Sequence, residues 1–182
     1  MILRILGFIA LLVSSPAFAA DYVVRTGTLT FSGQQQGEAF DGRFDRFSAT
    51  IQFDAAQLTE SKLDVSIDLS SADSQNSERD DTLKGDDFFA IERFPKAHFV
   101  TSVVRAIDAT QFEADATLTI RDKSVALKFP FTFERDANGA RLKARVTLDR
   151  LAFDIGAGAW ADDGMIGHSV EVNVDLNLIA KP

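Results

Sequence analysis

The chain contains no cysteine, which excludes disulfides, thiolate metal sites, iron–sulfur clusters and a cysteine nucleophile. Its two histidines, His98 and His168, are too few for most histidine-built metal centres. Lysine and arginine total 19 against 27 acids, a formal charge of −8 at pH 7. That balance argues against nucleic acid as a partner, because phosphate neutralisation needs a basic face. It also repels anionic leaflets, so any membrane contact is expected to be brief. Tyrosine and tryptophan occur once each, yet there are 16 phenylalanines. With 46% apolar and 25% charged residues, the 182-residue chain has the composition of a packed globular protein, not a disordered one.

Only one long apolar run is present, Ile5–Val13, after the single charge of Arg4. Ser14, Ser15 and Pro16 break it, and Ala17-Phe18-Ala19 forms a small-x-small cleavage site. Residues 1–19 therefore read as a secretory signal peptide. The run is far short of the roughly 20 residues needed to span a bilayer. No cysteine follows it to carry a lipid. Residues 20–182 are expected to be a single exported domain, with the bacterial periplasm as the expected compartment. About 160 residues can bury enough surface to fold without disulfides.

The rest of the chain alternates with period two, the signature of strands with one dry and one wet face. Leu63, Val65, Ile67 and Leu69 alternate with Asp64, Ser66, Asp68 and Ser70. The same pattern holds over Val125–Phe133, Leu142–Leu148 and Val170–Leu178. Further strands are expected near 22–31, 44–53, 97–106 and 111–121. Phe44 lies out of phase with Phe47, Ala49, Ile51 and Phe53, which predicts a bend at Asp45-Arg46. Asn138-Gly139 predicts a two-residue hairpin, and Pro130 an edge or bulge position. Residues 74–95 break the pattern: Ser74 or Asn76 can cap a short helix that Gly85 ends. About eight antiparallel strands with one helical insertion fit a closed barrel or a two-sheet sandwich. A small barrel is either filled by its own side chains or holds one elongated apolar ligand, and alternation does not separate the two.

The polar motifs read mainly as structural. Asp80-Asp81 and Asp86-Asp87 flank Thr82–Gly85, without the spacing of a calcium loop. Acids at the start of a short helix favour its N-terminus. Arg79 and Asp80 are expected to pair and pin the insertion to the barrel, with a head-group contact as the second reading. Gly156-Ala157-Gly158 lacks the lysine of a phosphate loop. Neither a metal nor a cofactor is implied.

One series of motifs is more specific. Asn76-Ser77-Glu78-Arg79-Asp80-Asp81-Thr82-Leu83 is followed by Asp87-Phe88-Phe89 and then Phe94-Pro95-Lys96-Ala97-His98-Phe99. Gly42-Arg43-Phe44 leads to Ile51-Gln52-Phe53-Asp54, Leu118–Asp122 reads LTIRD, and Leu148–Phe153 reads LDRLAF. Together these resemble the YceI-like family over roughly residues 22–179. The turn Gln34–Gly37 and the loop Gly156–Asp163 depart from the usual pattern and are expected at a barrel end. The resemblance implies an all-β fold: an extended, eight-stranded antiparallel, lipocalin-like barrel with a short helical insertion near residues 75–93. It also implies an exported binding protein, not an enzyme, that holds an isoprenoid lipid such as a quinone tail. Two other readings are a lipid-modifying enzyme with Asp80 at the barrel mouth and a secreted interaction module with a self-filled core. A homodimer is left open. By phase, the expected ligand wall is Phe31, Phe44, Ile51, Leu63, Val65, Ile67, Phe99, Leu118, Ile120, Phe129, Phe131, Val146, Leu148, Val172 and Val174.

Overall fold

Period-two alternation becomes ten antiparallel strands in the computed structural model, which describes residues 20–181. The leader expected over residues 1–19 lies outside the described residues. The strands are β1 (Ala20–Gln35), β2 (Glu38–Phe44), β3 (Phe47–Phe53), β4 (Lys62–Asp68) and β5 (Ala72–Asp73). They continue as β6 (Lys96–Ala106), β7 (Gln111–Ile120), β8 (Lys123–Asp136), β9 (Gly139–Asp149) and β10 (Ser169–Ala180). The helix α1 (Ser77–Lys84) is the insertion. Eight strands close on themselves in the order β1-β10-β9-β8-β7-β6-β4-β3, with β3 returning to β1. The expected eight-stranded antiparallel barrel is thus formed. β2 and β5 extend the wall beyond it.

β1 is long because its two halves have different neighbours. Ala20–Val23 pair with β3, whereas Thr30–Gln35 pair with β2. β2 and β3 are one bent strand, broken at Asp45-Arg46 where the phase of the phenylalanines changes. The bend is held from outside. Asp45 N–H donates to the Ser71 carbonyl at 3.2 Å, and the Arg46 guanidinium donates to Asp68 at 2.9 Å and Ser70 at 2.8 Å. The β1–β2 hairpin turns through Gln36 and Gly37, both at positive φ (54° and 80°), as tight hairpins with the strands' twist require.

The β8–β9 hairpin differs from expectation by one residue. Asp136 pairs with Gly139, so the loop is Ala137-Asn138 and not Asn138-Gly139. The Asp136 carboxylate accepts the Asn138 N–H at 2.7 Å and sets that register. Gly139 is required for another reason: a β-carbon there would collide with the Leu178 carbonyl.

Pro130 marks a discontinuity. β8 and β9 are paired from Phe131–Ala144 to Asp136–Gly139 and not beyond. Lys123–Pro130 pair only with β7, and Arg145–Asp149 only with β10. Pro130 has no N–H to donate across that gap, in keeping with the edge position read from sequence. The barrel wall therefore carries an unpaired seam over half the length of β8.

The barrel's two ends are filled differently. At the β8–β9 hairpin end, Phe53 is the centre of a packed group of rings. Its centroid lies 4.1 Å from Phe133, 4.9 Å from Phe112 and 5.9 Å from Phe131. Tyr22 meets Phe133 edge-on at 5.3 Å, and its hydroxyl accepts from Arg135 Nε at 2.9 Å. Edge and tilted contacts of this kind add about 0.5–1.5 kcal/mol per pair beyond area burial. The opposite end is covered by α1, the turns around Phe88-Phe89 and the segment 150–168.

Candidate binding cavity

At the α1 end the inward side chains do not meet, and a cavity remains. Its volume is about 120 Å³. Every residue that lines it is apolar. The wall comes from Ile51 on β3; Leu63, Val65 and Ile67 on β4; Phe99 on β6; and Leu118 and Ile120 on β7. It continues with Phe129 on β8, Val146 and Leu148 on β9, and Val172 and Val174 on β10, with Phe44 of β2 at the mouth. Thirteen of the fifteen residues singled out by phase are thus brought together.

The other two face inward at other depths. Phe31 is 6% exposed, tilted against Phe44 at 5.2 Å and edge-on to Phe40 at 6.4 Å, in the space Gly42 leaves by lacking a side chain. Phe131 belongs to the ring group at the closed end, stacked on Phe112 at 5.6 Å. Phase missed eight lining residues. Phe47, Leu127, Leu142 and Leu176 share the phase of residues that were chosen, and Leu29 lies two residues before Phe31 on β1. Ala97 is small. Leu69 continues the alternation of β4 into the turn that follows it, and Phe89 comes from an irregular segment that has no period to read.

The Phe88-Phe89 pair divides its two rings. Phe89 lines the cavity and lies 6.1 Å from Phe44, whereas Phe88 packs on Trp160 at 5.7 Å. Asn76 caps α1 by accepting the Arg79 N–H at 3.0 Å. Arg79 and Asp80 do not pair with each other, contrary to expectation; both bind Ser74. Arg79 Nε donates to Ser74 Oγ at 2.9 Å, and Asp80 Oδ1 accepts from Ser74 N and Oγ at 2.8 and 2.6 Å. Arg79 nevertheless pins the insertion. It donates to Gln35 of β1 at 3.1 Å and lies 4.2 Å above the Phe40 ring of β2.

The acids near the mouth have structural partners. Asp87 accepts the Trp160 indole N–H at 3.1 Å. Asp81 and Asp86 lie 3.7 Å from Lys84 and 3.6 Å from Arg93. None lines the cavity. His98 meets Asp64 at 2.7 Å, and this contact, with Lys62 nearby, holds the Asp64 carboxyl below its ordinary value. His168 Nε2 lies 2.7 Å from the Ala161 carbonyl. Among the described residues no three His, Cys, Asp or Glu side chains converge as a metal site.

Arg150 was not singled out by the sequence as more than a motif position. It is 4% exposed and donates to five backbone carbonyls. Nε reaches Gly167 (3.1 Å), Nη1 reaches Ile155 and Gly156 (2.8 and 2.5 Å), and Nη2 reaches Trp160 and Ile166 (2.7 and 2.8 Å). Burial pulls its pKa below the usual arginine value. All five donors are used, so Arg150 ties the segment 150–168 across the barrel end and has no donor left for a ligand.

Known proteins bear out this architecture. A UPF0312 protein of Shewanella denitrificans is 39% identical over 100 residues, which are 52% of this chain and 52% of that protein. The chain thus spans about half the length of that relative. The crystal structure of BcnA from Burkholderia cenocepacia superposes with a TM-score of 0.79 at 25% identity, covering 82% of this chain and 94% of that one. A domain from Saccharophagus degradans, described as polyisoprenoid binding, shares the fold at a TM-score of 0.72 and 16% identity, covering 90% of this chain and 99% of that one. The YceI-like domain family matches residues 20–178. With its barrel, its insertion and nearly all of its described length accounted for by that match, the chain belongs to the YceI-like family.

Proposed function

We propose that this protein is a periplasmic carrier that holds a long isoprenoid lipid, such as a quinone tail or polyprenyl chain, in the cavity at the α1 end. The observation that carries this reading is the cavity lining, 21 residues without a polar side chain among them. Such a wall recognises an apolar chain and offers nothing to a polar substrate. The family match and the binding description of the Saccharophagus degradans domain support the lipid class. The leader read over residues 1–19 supports export.

The energetics suit loading and release. Moving a methylene from water to an apolar site gains about 0.8 kcal/mol. A membrane lipid comes from hydrocarbon that is already dry, so the transfer is close to balanced. The enclosed volume is about 120 Å³, so a long chain is accommodated only as the lining side chains move apart.

The test is direct. The protein is produced by export, purified without detergent and extracted with organic solvent, and the extract is analysed by mass spectrometry. A near-stoichiometric polyprenyl lipid is the expected result. A compact protein that yields no lipid, from the production host and from its native source alike, would overturn the reading.

A further inference from the structure

Resting on the carrier reading above, we propose that the unpaired seam between β8 and β9 is the portal through which the apolar chain crosses the barrel wall, and that the seam faces an anionic bilayer while it does so.

Most of the barrel wall is closed by a hydrogen-bonded ladder, and a chain could pass there only by breaking it. Between Lys123–Pro130 and Arg145–Asp149 there is no ladder to break. Pro130 stands where it stops and cannot extend it. Both lips of the seam line the cavity: Leu127 and Phe129 from β8, Val146 and Leu148 from β9. Leu127, Val146 and Leu148 are half-buried, as are the lining residues Val65, Ile67, Val172 and Val174 on paired strands, so what distinguishes the seam is the missing ladder.

A second space lies outside the wall and touches the seam at the end marked by Pro130 and Arg145. A surface groove of about 470 Å³ is flanked by Pro130, Lys143, Arg145 and Ile107, and reaches in to Phe131 and Val174. Val174 also lines the inner cavity, so groove and cavity approach each other through one layer of side chains. Ile107, at 61% exposed, gives the outer rim an apolar edge. The groove touches no residue of the Asp45-Arg46 bend, where β1 also loses its neighbour, so the two breaks in the wall are not equivalent.

Charge points the same way. The chain is acidic overall, yet the outward positions Arg141, Lys143 and Arg145 of β9 are all basic, and Lys128 stands on the facing lip. Arg141 is engaged by Asp175 at 2.6 Å, Arg145 lies 3.6 Å from Glu171, and Lys128 meets Asp115. Lys143 makes no ion pair among the described residues and borders the groove. A lysine without a close ion pair at the rim of the groove, opposite Asp175 of β10, can reach the phosphate of a phospholipid whose neighbouring tail is being drawn in. A local basic strip also gives an acidic protein one orientation in which it can approach an anionic leaflet.

The absence of cysteine permits a clean experiment. Ala126→Cys on β8 and Thr147→Cys on β9 are exposed positions on opposite lips, and neither lines the cavity. The pair is bridged with a reducible thiol cross-linker. Uptake of an octaprenyl quinone is then followed from vesicles of phosphatidylethanolamine and phosphatidylglycerol. Bridging is expected to slow uptake by about tenfold or more without changing final occupancy, and reduction to restore the rate. Uptake by the bridged protein at the unbridged rate overturns the portal while leaving the carrier reading intact. An unbridged protein that takes up no quinone overturns both. Lys143→Glu is expected to slow uptake from these vesicles and to have no effect when phosphatidylcholine replaces phosphatidylglycerol. Loss of rate in neither lipid overturns the bilayer-facing half of the proposal.

Discussion

Arg150→Leu removes a charge that holds five backbone carbonyls from three places along one segment. Each such bond is worth about 1.5–3 kcal/mol when the donor is charged. The five do not add, because the segment can lift and let water reach its carbonyls. A buried carbonyl left without a donor costs about 1–3 kcal/mol where water does not reach it, so with part of the segment lifting a loss of about 3–5 kcal/mol is expected. For a domain of this size it corresponds to a fall in Tm on the order of 6–20 °C. Arg150→Lys should recover less than half of it, since one nitrogen with three hydrogens cannot span oxygens arranged around a planar fork. Calorimetry gives the global effect, and amide hydrogen exchange over residues 150–168 locates it. Those amides should lose protection, whereas the strands around Phe53 should keep theirs. A Tm within about 2 °C of wild type, with unchanged exchange in the segment, would refute the assignment of Arg150 as its anchor.

The two ends of the barrel should respond differently to substitution. Ile67→Asp places a carboxylate in the dry wall and should abolish lipid retention in a protein that still folds; a lipid-bearing Ile67→Asp variant would contradict the cavity assignment. Phe131→Ala should cost about 3–5 kcal/mol in denaturant melts, because it empties a place in the ring group, and a loss below about 1 kcal/mol would argue against that packing. Gly139→Ala should cost about 1–3 kcal/mol through the Leu178 carbonyl, with a wild-type midpoint as the contrary result. Acid should destabilise the fold. The Asp115 carboxyl beside Arg105 and Lys128, Asp175 beside Arg141, and Asp68 bonded by Ser70 and Arg46 are all held below the ordinary 3.8. A lowered folded-state value means that the unfolded chain binds protons more readily, so this stability is present above about pH 5 and lost as pH falls below it. A Tm that stays flat from about pH 5 to pH 2 would contradict the ion pairs.

Much of the wall was readable because each strand has one wet face, so polar residues mark every second position. Phase, however, gives the face of a strand and not the depth along the barrel axis. Phe31 and Phe131 therefore looked equivalent to Phe129, although only Phe129 lines the cavity. β2 was largely invisible beyond Phe44, because Glu38–Arg43 is mostly exposed and does not alternate cleanly. The bend at Asp45-Arg46 and the break at Pro130 were legible, since a phase slip and a missing N–H are local facts. The hairpin register was not, because the Asp136 side chain outcompetes the Asn-Gly preference. Arg150 left no mark of its importance: its partners are carbonyls, which every residue has, and no acid in the sequence announces them.

The ring group at the β8–β9 hairpin end also fixes a length. Phe53, Phe112, Phe131 and Phe133 form a solid floor, and any chain held in the cavity must stop above it. On the carrier reading proposed above, the barrel would be a ruler whose zero is set by packed aromatics, not by its overall height. A relative with smaller residues in that layer would measure a longer chain with the same strands, and one with a further ring above Phe129 a shorter one. Selectivity for tail length would need no contact with the polar head at all, and could drift by single substitutions while the fold stayed constant.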